Sequence, residues 1–150
     1  MIDSPRYKEL QEQLEQQTDE KGRIDTLLAI AEEVKSFDVD GAMQMGNDII
    51  ERSRTINYHV GIGRGLCLKG FCNRLKGEYD DGIEVLQEAL ALSKKIHDRG
   101  LEATCYYYLG NIYRDLGDLG EVHVHYEKAL AINEELGEEY YQSVILSSIS

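Results

Sequence analysis

The chain has 150 residues, with 28 Asp and Glu against 16 Lys and Arg, a net charge of −12, one proline, no tryptophan and three cysteines. That length holds one compact unit and is short for two independent domains. The charge argues against nucleic acid and anionic membranes as partners, since both are bound through lysines and arginines that replace counterions around phosphates.

Abundant Glu, Lys, Leu, Ala and Gln, with few runs of Val, Ile or Thr, favour helix over strand, so an all-α chain is expected. No apolar run approaches the roughly 18 residues needed to cross a bilayer. The start MIDSPRYKEL lacks a charged region followed by an apolar one, so a soluble, cytoplasmic protein is expected. Cys67, Cys72 and Cys105 are an odd set without CxxC spacing, which suits small core residues in a reducing compartment better than disulfides or zinc.

Ser4-Pro5 marks the first helix start, because serine can accept from free amides and proline in the first turn has no amide to leave unpaired. Tyr7, Leu10 and Leu14 follow at helical spacing, a narrow apolar stripe fit to cover the open end of a stack. A second helix is expected from Thr18, with Ile24, Leu27, Leu28, Ala31 and Val34 inward. After SFDVDG a third carries Ala42, Met45, Ile49 and Ile50. Asn57 is the expected cap of a fourth, which runs through Leu66 and Phe71 to Lys76, where Gly77 offers the left-handed conformation that ends a helix.

Gly61, Gly63 and Gly65 cost that helix up to about 1 kcal/mol each relative to alanine. No strand precedes them, so close packing or a frayed first turn accounts for them better than a phosphate loop. Glu78 or Tyr79 opens the fifth helix, with Ile83, Leu86, Ala89 and Leu90 inward. Asp98 caps the sixth, Gly117 ends it, and Leu119 to Leu136 form the seventh. Gly137 is expected to close that helix and Glu138-Glu139 to open an eighth, with Val144, Ile145, Leu146 and Ile149 apolar.

A spacing recurs along these elements. Gly110, Arg114, Gly117 and Ala129-Leu130-Ala131 are answered forty residues earlier by Gly70, Arg74, Gly77 and Ala89-Leu90-Ala91, which is the mark of a repeat protein. An earlier copy fits if Ala31 takes the place of Gly70, with a turn one residue shorter. The units are then residues 18–56, 57–96 and 97–136, with a half unit at 137–150. Ser150 corresponds to Gly110, so the sequence stops within a repeat and a fragment of a longer protein is expected. Glycine at 70 and 110 lets paired helices approach closely, with Ala89 and Ala129 at the facing contact.

The run L-G-x-x-Y-x-x-x-G at Leu109 to Gly117, with Tyr106 before it and Tyr126, Ala129 and Leu130 after it, resembles the tetratricopeptide repeat family in a long, 40-residue form. The preceding copy keeps Gly70, Gly77, Tyr79, Leu86 and Ala89 but departs at Lys69, Asn73 and Gly82, where leucine, tyrosine and alanine are usual. Val122 likewise replaces an alanine. The resemblance implies a right-handed α-solenoid of antiparallel helix pairs: about three repeats, an N-terminal helix and a truncated C-terminal helix. It is similar to the repeats of spindle-orientation adaptors, kinesin light chains and bacterial peptide receptors, and so implies a binding module with no catalysis and no cofactor.

In that family the first helix of each pair lines a concave groove. Carried over, this face holds Arg64, Cys67, Phe71 and Arg74 in one repeat and Thr104, Tyr107, Asn111 and Arg114 in the next. The candidate peptide-binding residues are Arg64, Phe71, Arg74, Tyr107, Asn111 and Arg114. Asn111 can both donate to and accept from a peptide backbone, and Arg74 and Arg114, roughly 10 Å apart on neighbouring helices, can grip successive carboxylates of an extended acidic peptide. The competing reading is arginines paired with acids of the protein itself.

Other constellations are less informative. His123 and His125 point about 200° apart on a helix, which disfavours a shared metal. Tyr106 is expected in the core, Tyr107 in the groove and Tyr108 at their margin. Two further roles stand beside peptide binding: a regulatory or sensor domain of a bacterial signalling protein with a kinase or nucleotide cyclase output, and a homodimer formed through the face of residues 138–149.

Overall fold

Local capping sets most of the helix boundaries. In the computed structural model, which describes residues 4–149 and the side chains of 4–138, the helices are α1 (Pro5–Gln16), α2 (Glu20–Val34), α3 (Val39–Thr55), α4 (His59–Leu75), α5 (Tyr79–Lys95), α6 (Arg99–Leu116) and α7 (Leu119–Ile149). No strand occurs among the described residues. Ser4 accepts from the Tyr7 amide at 3.0 Å, Asp38 from Gly41 at 3.0 Å and Asp98 from Leu101 at 3.0 Å, each filling an otherwise empty amide of a first turn. The second helix begins at Glu20, not Thr18, because Asp19 is its cap and accepts from Gly22 at 3.2 Å.

The later turns share one geometry at a fixed interval. Asn57, Gly77, His97 and Gly117 all have positive φ, at 55°, 75°, 58° and 79°. After each, the next amide bonds a carbonyl five residues back, as in Glu78 to Asn73 at 2.8 Å and Asp98 to Ser93 at 2.9 Å. Asn57 is therefore the left-handed residue of its turn and not the cap; Tyr58 stands at the cap position and makes no side-chain cap bond. The turn from α2 to α3 closes instead from Asp38 to Val34, one residue shorter.

The break expected at Gly137 is absent, and α7 continues through it to Ile149. Only Gly77 and Gly117 among the glycines take positive φ, and the residues after Gly137 are Glu138-Glu139, without the Asp that caps the helix after Gly117. With neither a left-handed residue nor a cap, nothing interrupts the hydrogen-bond ladder. Val144, Ile145, Leu146 and Ile149, the apolar set expected to meet a second copy, lie outside the described side chains.

Each helix packs on the next along the chain, and α1 covers the open side of α2 with the buried Leu10. Beyond these pairs, α2 also packs on α4 and α4 on α6, whereas among the described residues α3, α5 and α7 do not pack on one another, and α3 reaches α5 through the exposed ion pair of Arg54 and Glu88. One row is close-set and the other splayed, so the stack is a curved solenoid whose inner face is built by α2, α4 and α6.

Glycine makes the close setting possible. Gly65 of α4 lies where an added Cβ would come within 2.7 Å of Ile50, and Gly61 and Gly63 face Ser53 and Leu101 in the same way. Gly61, Gly63 and Gly65 are thus packing sites on both sides of α4, and all three are buried. At Gly70 and Gly110 the facing side chains are Leu86 and Tyr126, not Ala89 and Ala129 as expected. Ala89 and Ala129 are buried nearby, one turn along α5 and α7.

Candidate functional site

The register that aligns Ala31 with Gly70 also aligns Asp25, Leu28, Glu32 and Lys35 with Arg64, Cys67, Phe71 and Arg74. Of these positions, Asp25, Leu28, Glu32, Arg64 and Cys67 line a cavity of about 510 Å³ together with Gly100, Leu101, Thr104 and Tyr108 of α6.

Two residues of this lining, Glu32 and Tyr108, belong to a bridge across the inner helices. Lys35 of α2 reaches over Phe71 of α4, its Nζ 4.2 Å from the ring centroid, and donates a hydrogen bond of 3.1 Å to the Tyr108 hydroxyl on α6. Glu32 pairs with the same ammonium at 2.5 Å. Burial pushes the Lys35 pKa down, but the bonds to Glu32 and Tyr108 outweigh it and the net shift is upward, so the ammonium stays charged. Tyr108 packs on Phe71 at 5.7 Å between centroids and is half-buried, between the buried Tyr106 and the exposed Tyr107.

The six candidate residues divide by what holds them. Arg74 donates to Asp115 of α6 at 2.8 Å, an ion pair between neighbouring inner helices. Asn111 is buried, and its carboxamide oxygen accepts from the Tyr126 hydroxyl. Phe71 is half-buried under Lys35. Tyr107 is 53% exposed and rests between Tyr108 and Tyr126. Arg64 and Arg114 are exposed and form no ion pair among the described residues. Among the described residues, Arg64 and Arg114 are therefore the candidate cations without an acidic partner, whereas Lys35 and Arg74 are matched by Glu32 and Asp115. Tyr106 is buried, as expected, while His123 and His125 bond separately to Glu127 and Glu121.

A model of the tetratricopeptide repeat family matches residues 62–135. Those residues are tetratricopeptide repeats. The 43 kDa receptor-associated protein of the synapse from Tetronarce californica is 31% identical over 77 residues, which cover 51% of this chain and 19% of that protein. Tetratricopeptide repeats are protein-interaction modules.

The repeat register also brings in side chains that lie before the matched segment. Tyr58, at the start of α4, donates to Asp25 of α2 at 2.6 Å and ties together two inner helices. Burial first, then this bond to the carboxylate, pushes the Tyr58 pKa up to about 12, with Arg64 acting in the opposite sense. The folded value lies above the model-peptide value of 10.0, so the neutral phenol contributes stability that is intact below pH 10 and is lost as pH rises through about 12. Denaturant melts between pH 9 and 12 are expected to show a steeper loss for the parent than for Tyr58→Phe. Equal slopes would remove Tyr58 as the source.

Proposed function

We propose that the chain is a protein-binding scaffold whose inner face holds an extended, acidic segment of a partner. Arg64 and Arg114 carry this reading, because they are the exposed cations of the candidate set that no carboxylate of the chain engages among the described residues. In the repeat register Arg114 corresponds to Arg74, ten residues beyond Arg64. That offset is about 15 Å along a helix, combined with about 10 Å between helix axes. The resulting span of about 18 Å suits five or six extended residues.

Between the two arginines, Phe71 and Tyr107 would take an apolar side chain of the segment. Arg74 and Asn111, held by Asp115 and Tyr126, would shape the groove and reach the ligand only by exchanging those partners. The receptor-associated relative agrees with a role in gathering other proteins.

Fluorescence anisotropy with labelled extended peptides of equal length, acidic, neutral and basic, tests the proposal. The acidic series is expected to bind tightest, and Arg64→Ala with Arg114→Ala to weaken it at least tenfold, about 1.4 kcal/mol. The melting temperature should not change, since both side chains are exposed. Equal affinity for acidic and basic peptides, or undiminished binding by the double variant, overturns the reading.

A further inference from the structure

Two of the three cysteines meet beneath the groove. Cys67 on α4 and Cys105 on α6 have their Sγ atoms 3.4 Å apart, and both are buried. One turn earlier on the same helices, Gly63 lies where an added Cβ would strike Leu101, so the two helices approach closely along this line. A disulfide is about 2.05 Å long, which leaves an approach of about 1.4 Å to be shared between two side chains that can each rotate. Cys72, the third thiol, is buried in the cluster formed around Ile49 and Leu68, away from this pair.

Access is one-sided. Cys67 is 4% exposed and lines the cavity on the inner face, whereas Cys105 has no exposure. A small neutral oxidant arriving through the cavity therefore meets Cys67 first, with Cys105 directly behind it.

We propose that Cys67 and Cys105 form a peroxide-sensitive site that closes into an intrachain disulfide and locks adjacent inner helices together under the groove. In the first step the Cys67 sulfur displaces water from hydrogen peroxide, giving a sulfenic acid and one water. The Cys105 thiol then attacks that sulfur, forming the S–S bond and releasing a second water. The two thiols together give up two electrons and two protons, and one hydrogen peroxide, the oxidant, is reduced to two waters. The bond shared with Cys105, and then burial, raise the Cys67 pKa well above the usual thiol value, so the reaction should accelerate as pH rises.

The test uses the full chain treated with hydrogen peroxide at pH 8, followed by thiol titration in denaturant, intact mass and peptide mapping. Reactive thiols are expected to fall from three to one, the mass to drop by about 2 Da for the two hydrogens lost, and one peptide to join residues 67 and 105. Dithiothreitol should reverse all three changes. The cross-linked form should melt at least about 5 °C higher than the reduced one, and Cys105→Ala should show neither the cross-link nor the shift, its Cys67 carrying added oxygen instead. Three persistent thiols, oxygen added at Cys67 without a cross-link, or a link that includes Cys72 would each overturn the proposal.

Discussion

Gly110→Leu is expected to lower stability by about 2–3 kcal/mol, read as a fall in the urea midpoint with an unchanged slope. Leucine is the better helix former, and in an exposed helix the change would add nearly 1 kcal/mol. At this position the first added carbon already falls on the Tyr126 ring. That ring is not free to swing aside, because its hydroxyl donates to the buried Asn111 and its face rests on Tyr107 at 5.8 Å. α6 and α7 must therefore move apart, and the buried contacts around Ala103, Tyr106, Ala129 and Ile132 loosen with them. Tyr126→Ala in the same chain should recover part of the loss. A parent-like midpoint for Gly110→Leu would show that the two helices do not meet there.

The same contact shows how far sequence reasoning reaches. Glycine recurring at 70 and 110 marks where paired helices cross, because few other residues are tolerated at such an approach. It does not say which side chain fills the space. That depends on how far the second helix is rotated, and the rotation places Leu86 and Tyr126 there in preference to the alanines three residues on.

Turns follow a similar rule. Gly77 and Gly117 announce left-handed residues by composition, whereas Asn57 and His97 take the same conformation despite a side chain. Their signal is the interval of twenty residues, which residue type conceals. At Gly137 the error runs the other way, since a glycine without a following cap stays helical.

The inner face was legible in register more than in charge. Extending the alignment through Ala31 places Asp25, Glu32 and Lys35 on the inner face, but the choice of ion-pair partner is set across helices, where repeat spacing carries no information. Lys35, Arg74 and Arg114 hold equivalent positions and have three different fates: a bridge to Tyr108, an ion pair with Asp115, and exposure. Asp115 sits one residue past the position equivalent to Arg74, and only the packing of α4 on α6 brings it within 2.8 Å of that guanidinium.

Leu86→Ala is expected to cost more than any other substitution considered, about 3–5 kcal/mol, toward the top of the range for a buried leucine. Leu86 has no exposure and faces Gly70, which has no side chain to relax into the space. The cavity therefore persists, and a persistent cavity is what separates costly truncations from mild ones. The second site supplies the decisive measurement. In the parent, Gly70→Ala would put a Cβ within 2.5 Å of Leu86 and should destabilise. In the Leu86→Ala background the same methyl enters vacant space and also gains up to about 1 kcal/mol of helix propensity, so Gly70→Ala should there raise the urea midpoint. A reversal of sign between the two backgrounds is the signature of direct contact. If Gly70→Ala lowers both by the same amount, Leu86 does not fill the space at Gly70, and the packing assigned to α4 and α5 is wrong.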